Sequence, residues 1–268
     1  MTHWVVNTSL IREGGYESLI QQLNRQEVPY TLVRKPPFAD YLVNMTDDEE
    51  LILHLDGPVF VTGTTSMHLV SKKMGWNPGY LDSPGITECI EHWGEHMLNH
   101  DAVFGEIGSI RPNADEFFCR PDLDSKSFSG TLMTATGFDD WVKDLMAIDG
   151  YTTIPADTKV MLAPFKRIWA EYRCSVVDGR VVTASRYKTG STVAYSSEVG
   201  NRIIEYANDR VKEWKPRIAF TLDIADTPDG LKVIETNAIS SSGFYALDMN
   251  IFVGEITAAC DRYFEERK

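Results

Sequence analysis

RIAFTLDIADTPDGLKVIETNAISSSGFY, residues Arg217 to Tyr245, is the stretch on which the reading of this chain turns. Ile218 to Ala225 is an apolar run with one acid inside it, Asp223, and Leu231 to Thr236 is a second apolar run that closes on Glu235. Between them lies Thr227-Pro-Asp-Gly230, whose Pro and Asp-Gly chemistry favours a tight reversal, so the two runs are expected as antiparallel neighbours. Counting outward from the turn puts Asp223 and Glu235 at similar height on adjacent strands. Asn237 follows two residues beyond Glu235, on the same face by strand alternation. Three oxygen-bearing side chains then converge, which suits a hard divalent cation such as Mg²⁺. The alternative is a solvated hairpin, the usual fate of strand acids. Against it, an acid embedded in Ala-Phe-Thr-Leu-Asp-Ile is out of place on a strand that is otherwise buried.

With 268 residues the chain is long enough for one large or two ordinary domains. Its 43% hydrophobic and 24% charged content is that of a soluble globular protein. A net charge of −13, with no dense basic patch, argues against nucleic acid as the main partner. Cys89, Cys119, Cys174 and Cys260 are widely spaced with no CxxC, so reduced core thiols in a cytoplasmic protein are expected. The N-terminus lacks the pattern of a signal peptide, and no run approaches the roughly 18 apolar residues of a membrane span.

Trp4 to Asn7, Gly15 to Gln26 and Tyr30 to Val33 read as strand, helix and strand. Pro58 to Thr62 runs through Gly63-Thr-Thr-Ser66 into a helix over Met67 to Met74, a βα unit of the open α/β class. The glycine turn falls far short of a P-loop. Glu88 to His100 reads as a helix carrying His92, His96 and His100 on one face; a satisfied helix face is favoured over zinc. From Glu116 an aromatic strand leads to Arg120, and Lys126 follows within a Ser/Thr/Gly-rich segment. Two cations beside a hydroxyl- and amide-rich loop suit a polyphosphate, with a solvated hairpin as the alternative. Phe138 to Ile148 is an amphipathic helix, Thr158 to Pro164 a buried strand, and Glu171 to Tyr187 a hairpin turning at Asp178-Gly179. On its first arm Glu171, Arg173 and Ser175 share one face. Lys188 to Gly200 reads as a polar connection, Asn201 to Lys212 as a helix, and Leu247 to Phe264 as a closing amphipathic helix.

Arg120-Pro-x4-Lys126-x-Phe128-x-Gly130, then Glu171-x-Arg173, then Asp223 with Glu235-x-Asn237, occur in that order. The set resembles the compact R-2-K clade of the ATP-grasp superfamily, in which the pattern RPxxxxKxFxG stands where other members carry nucleotide-binding lysines. The resemblance covers about residues 115 to 250 well. It implies an α/β fold: an N-terminal Rossmann-like pre-ATP-grasp domain over 1–114, a substrate platform, and an ATP-grasp module over 115–268 with its lid at about 115–165. It further implies ATP held between two α+β subdomains and Mg²⁺ on Asp223, Glu235 and Asn237. Arg120 and Lys126 would contact the nucleotide from the lid. Leu162 to Phe165 matches the hinge that bonds adenine through its backbone, although Ala163-Pro164 departs from the usual Glu-rich stretch and leaves the ribose contact unassigned. Glu171 and Arg173 match an acidic-x-Arg pair that divides between nucleotide and substrate.

The implied chemistry is ligation of a carboxylate to an amine through an acyl phosphate, with Arg173 stabilising charge on the transferring group. Arg186 and Lys188 are candidate binders of the substrate carboxylate, with ordinary surface charges as the alternative. The substrates stay open among amino acids, peptides, protein side chains and modified nucleotides. Three other classes remain: a kinase of the same fold, a non-catalytic nucleotide-binding module, and a zinc hydrolase built on the three histidines.

Overall fold

The computed structural model describes residues 1–12, 14–45, 49–122, 128–148, 150, 152 and 154–268. Three sheets organise them. The first is built from β1 (His3–Asn7), β2 (Tyr30–Val33), β5 (Pro58–Thr62) and β6 (Asn77–Gly79), all parallel in the order β2-β1-β5-β6. Trp4, Val5 and Val6 and the whole of β5 are buried, as strands covered on both faces require. Helices α1 (Tyr16–Arg25) and α2 (Met67–Lys73) supply crossovers, and a small ribbon pairs β3 (Leu42–Val43) with β4 (Glu50–Leu51). The strand order reverses between β1 and β5, which opens a crevice at their carboxyl ends.

The second sheet is antiparallel, in the order β7-β10-β8-β9: β7 (Val103–Glu106), β8 (Glu116–Pro121), β9 (Thr131–Thr134) and β10 (Lys159–Pro164). Helix α4 (Ala135–Met146) covers it, capped by the Thr134 hydroxyl, which accepts from the Gly137 amide. Phe117, Cys119, Phe138, Val160 and Leu162 form its own core. The motif Phe128 packs edge-on against Trp141 of α4, 5.2 Å between ring centres. A Cβ on the motif Gly130 would stand 2.3 Å from Cζ of Phe118. These two motif positions therefore pack this sheet.

The third sheet, antiparallel in the order β13-β12-β11-β14-β15, contains β11 (Ala170–Val177), β12 (Arg180–Thr189), β13 (Thr192–Ser196), β14 (Ala219–Thr227) and β15 (Gly230–Asn237). Asp178 and Gly179 turn β11 into β12 with φ of 50° and 82°, the left-handed pair that a two-residue hairpin needs. Strand β13 corrects the expectation of a plain polar connection from Lys188 to Gly200. It is a half-exposed edge strand, so its sequence carries little buried apolar signal.

One face of the third sheet packs on α3 (Ile86–Trp93) and α5 (Asn201–Glu213), joining Cys89, Trp93, Cys174, Ile203, Phe220 and Leu222 in one core. The other face packs on α6 (Met249–Glu265), which also carries the first sheet: Trp4, Phe60, Val177, Phe252 and Ile256 share a core. The chain on either side of residue 114 thus meets in three of its cores, that of the second sheet included through Ile107 and Ile110. The four cysteines are free and buried, and burial pushes their thiols up, Cys119 to about 12. Among the described residues no helix is long and apolar enough to cross a membrane.

Candidate active site

Strand pairing builds the site. Arg173 on β11 stands opposite Asp223 on β14, Asp223 stands opposite Glu235 on β15, and Thr221 stands opposite Asn237. Residues directly opposite in antiparallel strands share a face. A row of polar groups therefore crosses three strands on the α6 side, while Cys174, Leu222 and Ile224 fill the core behind it.

Asp223 is 1% exposed. Arg173 donates from Nε to Asp223 Oδ1 at 2.9 Å and from Nη2 to Oδ2 at 2.7 Å, a bidentate pair. Asn237 Nδ2 donates to Asp223 Oδ2 at 3.3 Å and to Glu235 Oε1 at 3.2 Å, and Arg120 of β8 donates from Nη1 to Glu235 Oε2. Five side chains thus form one hydrogen-bonded chain, Arg173–Asp223–Asn237–Glu235–Arg120, in which a neutral amide joins two carboxylates and an arginine ends each side. Burial works against the charge on Arg173, yet Asp223 more than restores it and holds the guanidinium above its ordinary value. Burial also pushes the Asp223 carboxyl up, against the pull of Arg173.

Arg120, Arg173, Glu235 and Asn237 line a cavity of about 350 Å³, together with Ser83 to Ile86 and Ala238. Asp223 lies beneath its floor. A second cavity of about 310 Å³ shares Thr65 and Ser241 to Gly243 with the first and reaches Ser9, Leu10 and Tyr245. It lies at the carboxyl ends of β1 and β5, at the crevice where strand order reverses. The Ser240 loop is docked onto the first sheet: Gly63 N–H donates to Ser240 O at 2.7 Å, and Tyr80 Oη donates to Ser241 Oγ at 2.8 Å.

The remaining expected site residues are placed as follows. Lys126 lies outside the described residues. Leu162 is not brought to either cavity: its side chain is in the core of the second sheet, and β10 is paired on both sides, to Val103 and to Cys119 at this residue. Phe165, just past β10, is 53% exposed, and its N–H donates to Glu116 O at 3.3 Å. Glu171 shares the face of Arg173 but is taken up by Tyr187 Oη at 2.7 Å and Lys188 Nζ at 2.8 Å. Arg186 pairs with Tyr172, on the opposite face of the sheet from Arg173, and lines neither cavity. A bulge in β12 between the Val176–Val181 and Ser175–Thr183 pairs sets that orientation.

The three histidines are not a ligand set, because α3 stops at Trp93 and Gly94 turns the chain with φ of 48°. His92 stacks on Trp214, His96 Nδ1 takes a hydrogen bond from Arg210 Nη1 at 2.8 Å, and His100 Nδ1 lies 3.1 Å from Met97 O. Among the described residues no group of three or more His, Cys, Asp or Glu is placed to hold a metal ion.

Reasoning from sequence missed an aromatic cluster. Tyr187 and Tyr245 stack on each other with ring centres 5.0 Å apart, the Arg173 guanidinium lies 5.7 and 4.8 Å from those centres, and Tyr195 lies tilted 5.2 Å from Tyr245. Arg173 Nη1 donates to Gly243 O at 3.4 Å. Nothing in residue spacing joins Tyr245 to Tyr187. It missed a wall as well: the extended Asp82-Ser-Pro-Gly85 segment before α3, whose Pro-Gly signal stands in the sequence, places Ser83 to Gly85 on the first cavity.

The whole chain overlays known structures of one class. A D-alanine–D-alanine ligase from Coxiella burnetii aligns with a TM-score of 0.64 at 15% identity, covering 100% of this chain and 97% of that one. The Bacillus anthracis D-alanine–D-alanine ligase complexed with ATP gives 0.62 at 13% identity over 100% of both chains. A RimK-domain ATP-grasp protein from Sphaerobacter thermophilus gives 0.59 at 11%, covering 98% of each. At such identities the likeness speaks to fold alone, and the fold is ATP-grasp. Residues 51–256 match the family described as ATP-grasp domain, R-2-K clade family 3, and the chain belongs to that family. Among curated proteins no significant match is found.

Proposed function

We propose that the chain is an ATP-dependent ligase that joins a carboxylate to an amine with the help of Mg²⁺. The observation that carries this reading is the meeting of Arg120, Arg173, Glu235 and Asn237 on one cavity that shares a wall, Thr65 and Ser241 to Gly243, with a second at the ends of parallel strands. Family membership and the printed names of the ligases that share the fold support it. The donor set fits the metal: a carboxylate and an amide oxygen at the cavity wall, with the Asp223 carboxylate behind them, are what a hard cation takes. Bound at the cavity wall by Glu235 and Asn237, with Asp223 behind them, it would neutralise charge on the nucleotide phosphates.

The work of the chain's own residues follows from their placement. Arg120, and Lys126 in the segment after it, neutralise the polyphosphate. The Phe165 segment faces adenine. Arg173, held by Asp223, Gly243 O and two tyrosine rings, meets the transferring phosphoryl group with little reorganisation. A substrate carboxylate oxygen attacks the γ-phosphorus and the bond to ADP breaks. The amine then attacks the acyl carbon, loses a proton, and inorganic phosphate leaves. The second cavity takes one of the two co-substrates, drawn from amino acids, peptides, protein side chains or modified nucleotides. In this reading residues 1–114 are a Rossmann-like substrate platform, residues 115–268 the ATP-grasp module with its lid near 115–165, and the protein is cytoplasmic.

Calorimetry with ATP and Mg²⁺ tests the reading: wild type binds, and Glu235→Gln weakens binding at least tenfold, about 1.4 kcal/mol. ADP release should then require a carboxylate and an amine together. No nucleotide binding, or ADP release driven by a single phosphate acceptor, overturns it.

A further inference from the structure

Two arginines neutralise the acid cluster, and they are not held alike. The Arg173–Asp223 pair is bidentate, with side chains 8% and 2% exposed, and two tyrosine rings and a carbonyl fix the guanidinium as well. Breaking it would strand a buried charge. Arg120 meets Glu235 through a single nitrogen, both side chains about a quarter exposed at 23% and 24%, on the open wall of the first cavity. A pair of that kind adds little net stability, because water competes for both partners. It also joins two bodies: Arg120 belongs to the second sheet and Glu235 to the edge of the third.

We infer that Arg120 and Glu235 form an exchangeable strap that makes cation and nucleotide binding interdependent. In the resting chain the guanidinium occupies the one accessible carboxylate of the cluster and ties the second sheet to the third. A divalent cation that takes Glu235 releases Arg120, and the freed guanidinium, still at the cavity wall, is available to a phosphate. A polyanion that takes Arg120 likewise uncovers Glu235 for the cation. Each ligand removes the competitor of the other, which is positive coupling, and by linkage it is reciprocal. Asp223 takes no part in the exchange, because Arg173 does not leave it. The nucleotide half of this inference rests on the ligase reading; the strap and its response to cations do not.

Two measurements on nucleotide-free protein decide it. Free Mn²⁺ is followed by electron paramagnetic resonance during titration of wild type, Arg120→Gln and Arg202→Gln; the last removes a different arginine, paired with Asp226 on the same sheet. Arg120→Gln should bind Mn²⁺ at least about fivefold more tightly than wild type. Arg202→Gln should stay within about twofold, as expected where no exchange occurs. Hydrogen–deuterium exchange of wild type is then compared with and without Mg²⁺. The cation should speed exchange in the second sheet over 116–121 and 131–134, and Arg120→Gln should show that faster exchange without it. Equal Mn²⁺ affinity in Arg120→Gln and wild type, or exchange in wild type that ignores Mg²⁺, overturns the strap. The wild-type arm needs no variant to fold. Absence of ATP binding sinks the ligase reading and leaves the strap to these arms; ATP binding with an unresponsive second sheet sinks the strap alone.

Discussion

Replacing Arg173 by methionine tests the buried pair most directly. The substitution keeps an apolar stem but leaves Asp223, 1% exposed, with no guanidinium. Stranding one partner of a buried ion pair costs about 3–5 kcal/mol. At about 2–4 °C per kcal/mol for a chain of this size, Tm should fall by roughly 6–20 °C. The loss has a pH signature whose sign is fixed. Burial already pushes Asp223 up, and removing Arg173 removes the largest pull in the other direction. With the folded value above the unfolded one, near 3.9, the penalty is absent at acid pH and grows as pH rises through the folded value. The deficit against wild type should therefore shrink as pH is lowered from about 7.5 to about 4.5, read by urea unfolding at each pH. The double variant Arg173→Met/Asp223→Leu should recover most of the stability, because the desolvation cost of both charges disappears. A deficit below about 1 kcal/mol, or one that is flat across that pH range, would refute the reasoning.

Two further outcomes follow from packing and charge. Gly130→Ala should lower Tm through about 1–3 kcal/mol of overpacking, since its Cβ would meet Phe118 at 2.3 Å; Phe118→Leu in that background should restore part of the loss in a thermal scan. His96, held below its ordinary value by burial and Arg210, resists protonation when folded, so stability is lost as pH falls below about 6.5. His96→Gln should flatten that slope in denaturant titrations at stepped pH, without abolishing it, because His3 shares the sign.

Much of the site was legible because it is local. The turn at Pro228 and Asp229 brings Asp223 and Glu235 to similar height, and strand alternation puts Asn237 beside Glu235, but a regular count opposes Asp223 to Ile234; a bulge there sets Asp223 opposite Glu235. The aromatic strand that leads to the motif arginine was legible as well, although the strand extends through Arg120 to Pro121. What stayed hidden needed either a count that slips or a contact between distant segments. The first of two bulges in β12, between Val181 and Thr183, sets Arg186 opposite Tyr172, on the core side of the sheet, while the Tyr187 ring reaches Arg173. Helical spacing promised one face for His92, His96 and His100, but Gly94 ends the helix before the second of them. β13 escaped notice because an edge strand can be polar on both faces. Tyr245 reaches Arg173 from a loop 72 residues away in the chain, a distance over which no periodicity speaks.

Because the four native thiols are sealed in the cores and kept protonated, the chain offers a silent background for covalent dyes. Leu132→Cys on the second sheet, 50% exposed, and Ile251→Cys on α6, 39% exposed, would be its only reactive handles among the described residues. A donor and acceptor fluorophore on those two positions would turn the rocking of one sheet over the body into a distance read molecule by molecule, with no native residue removed from the interior.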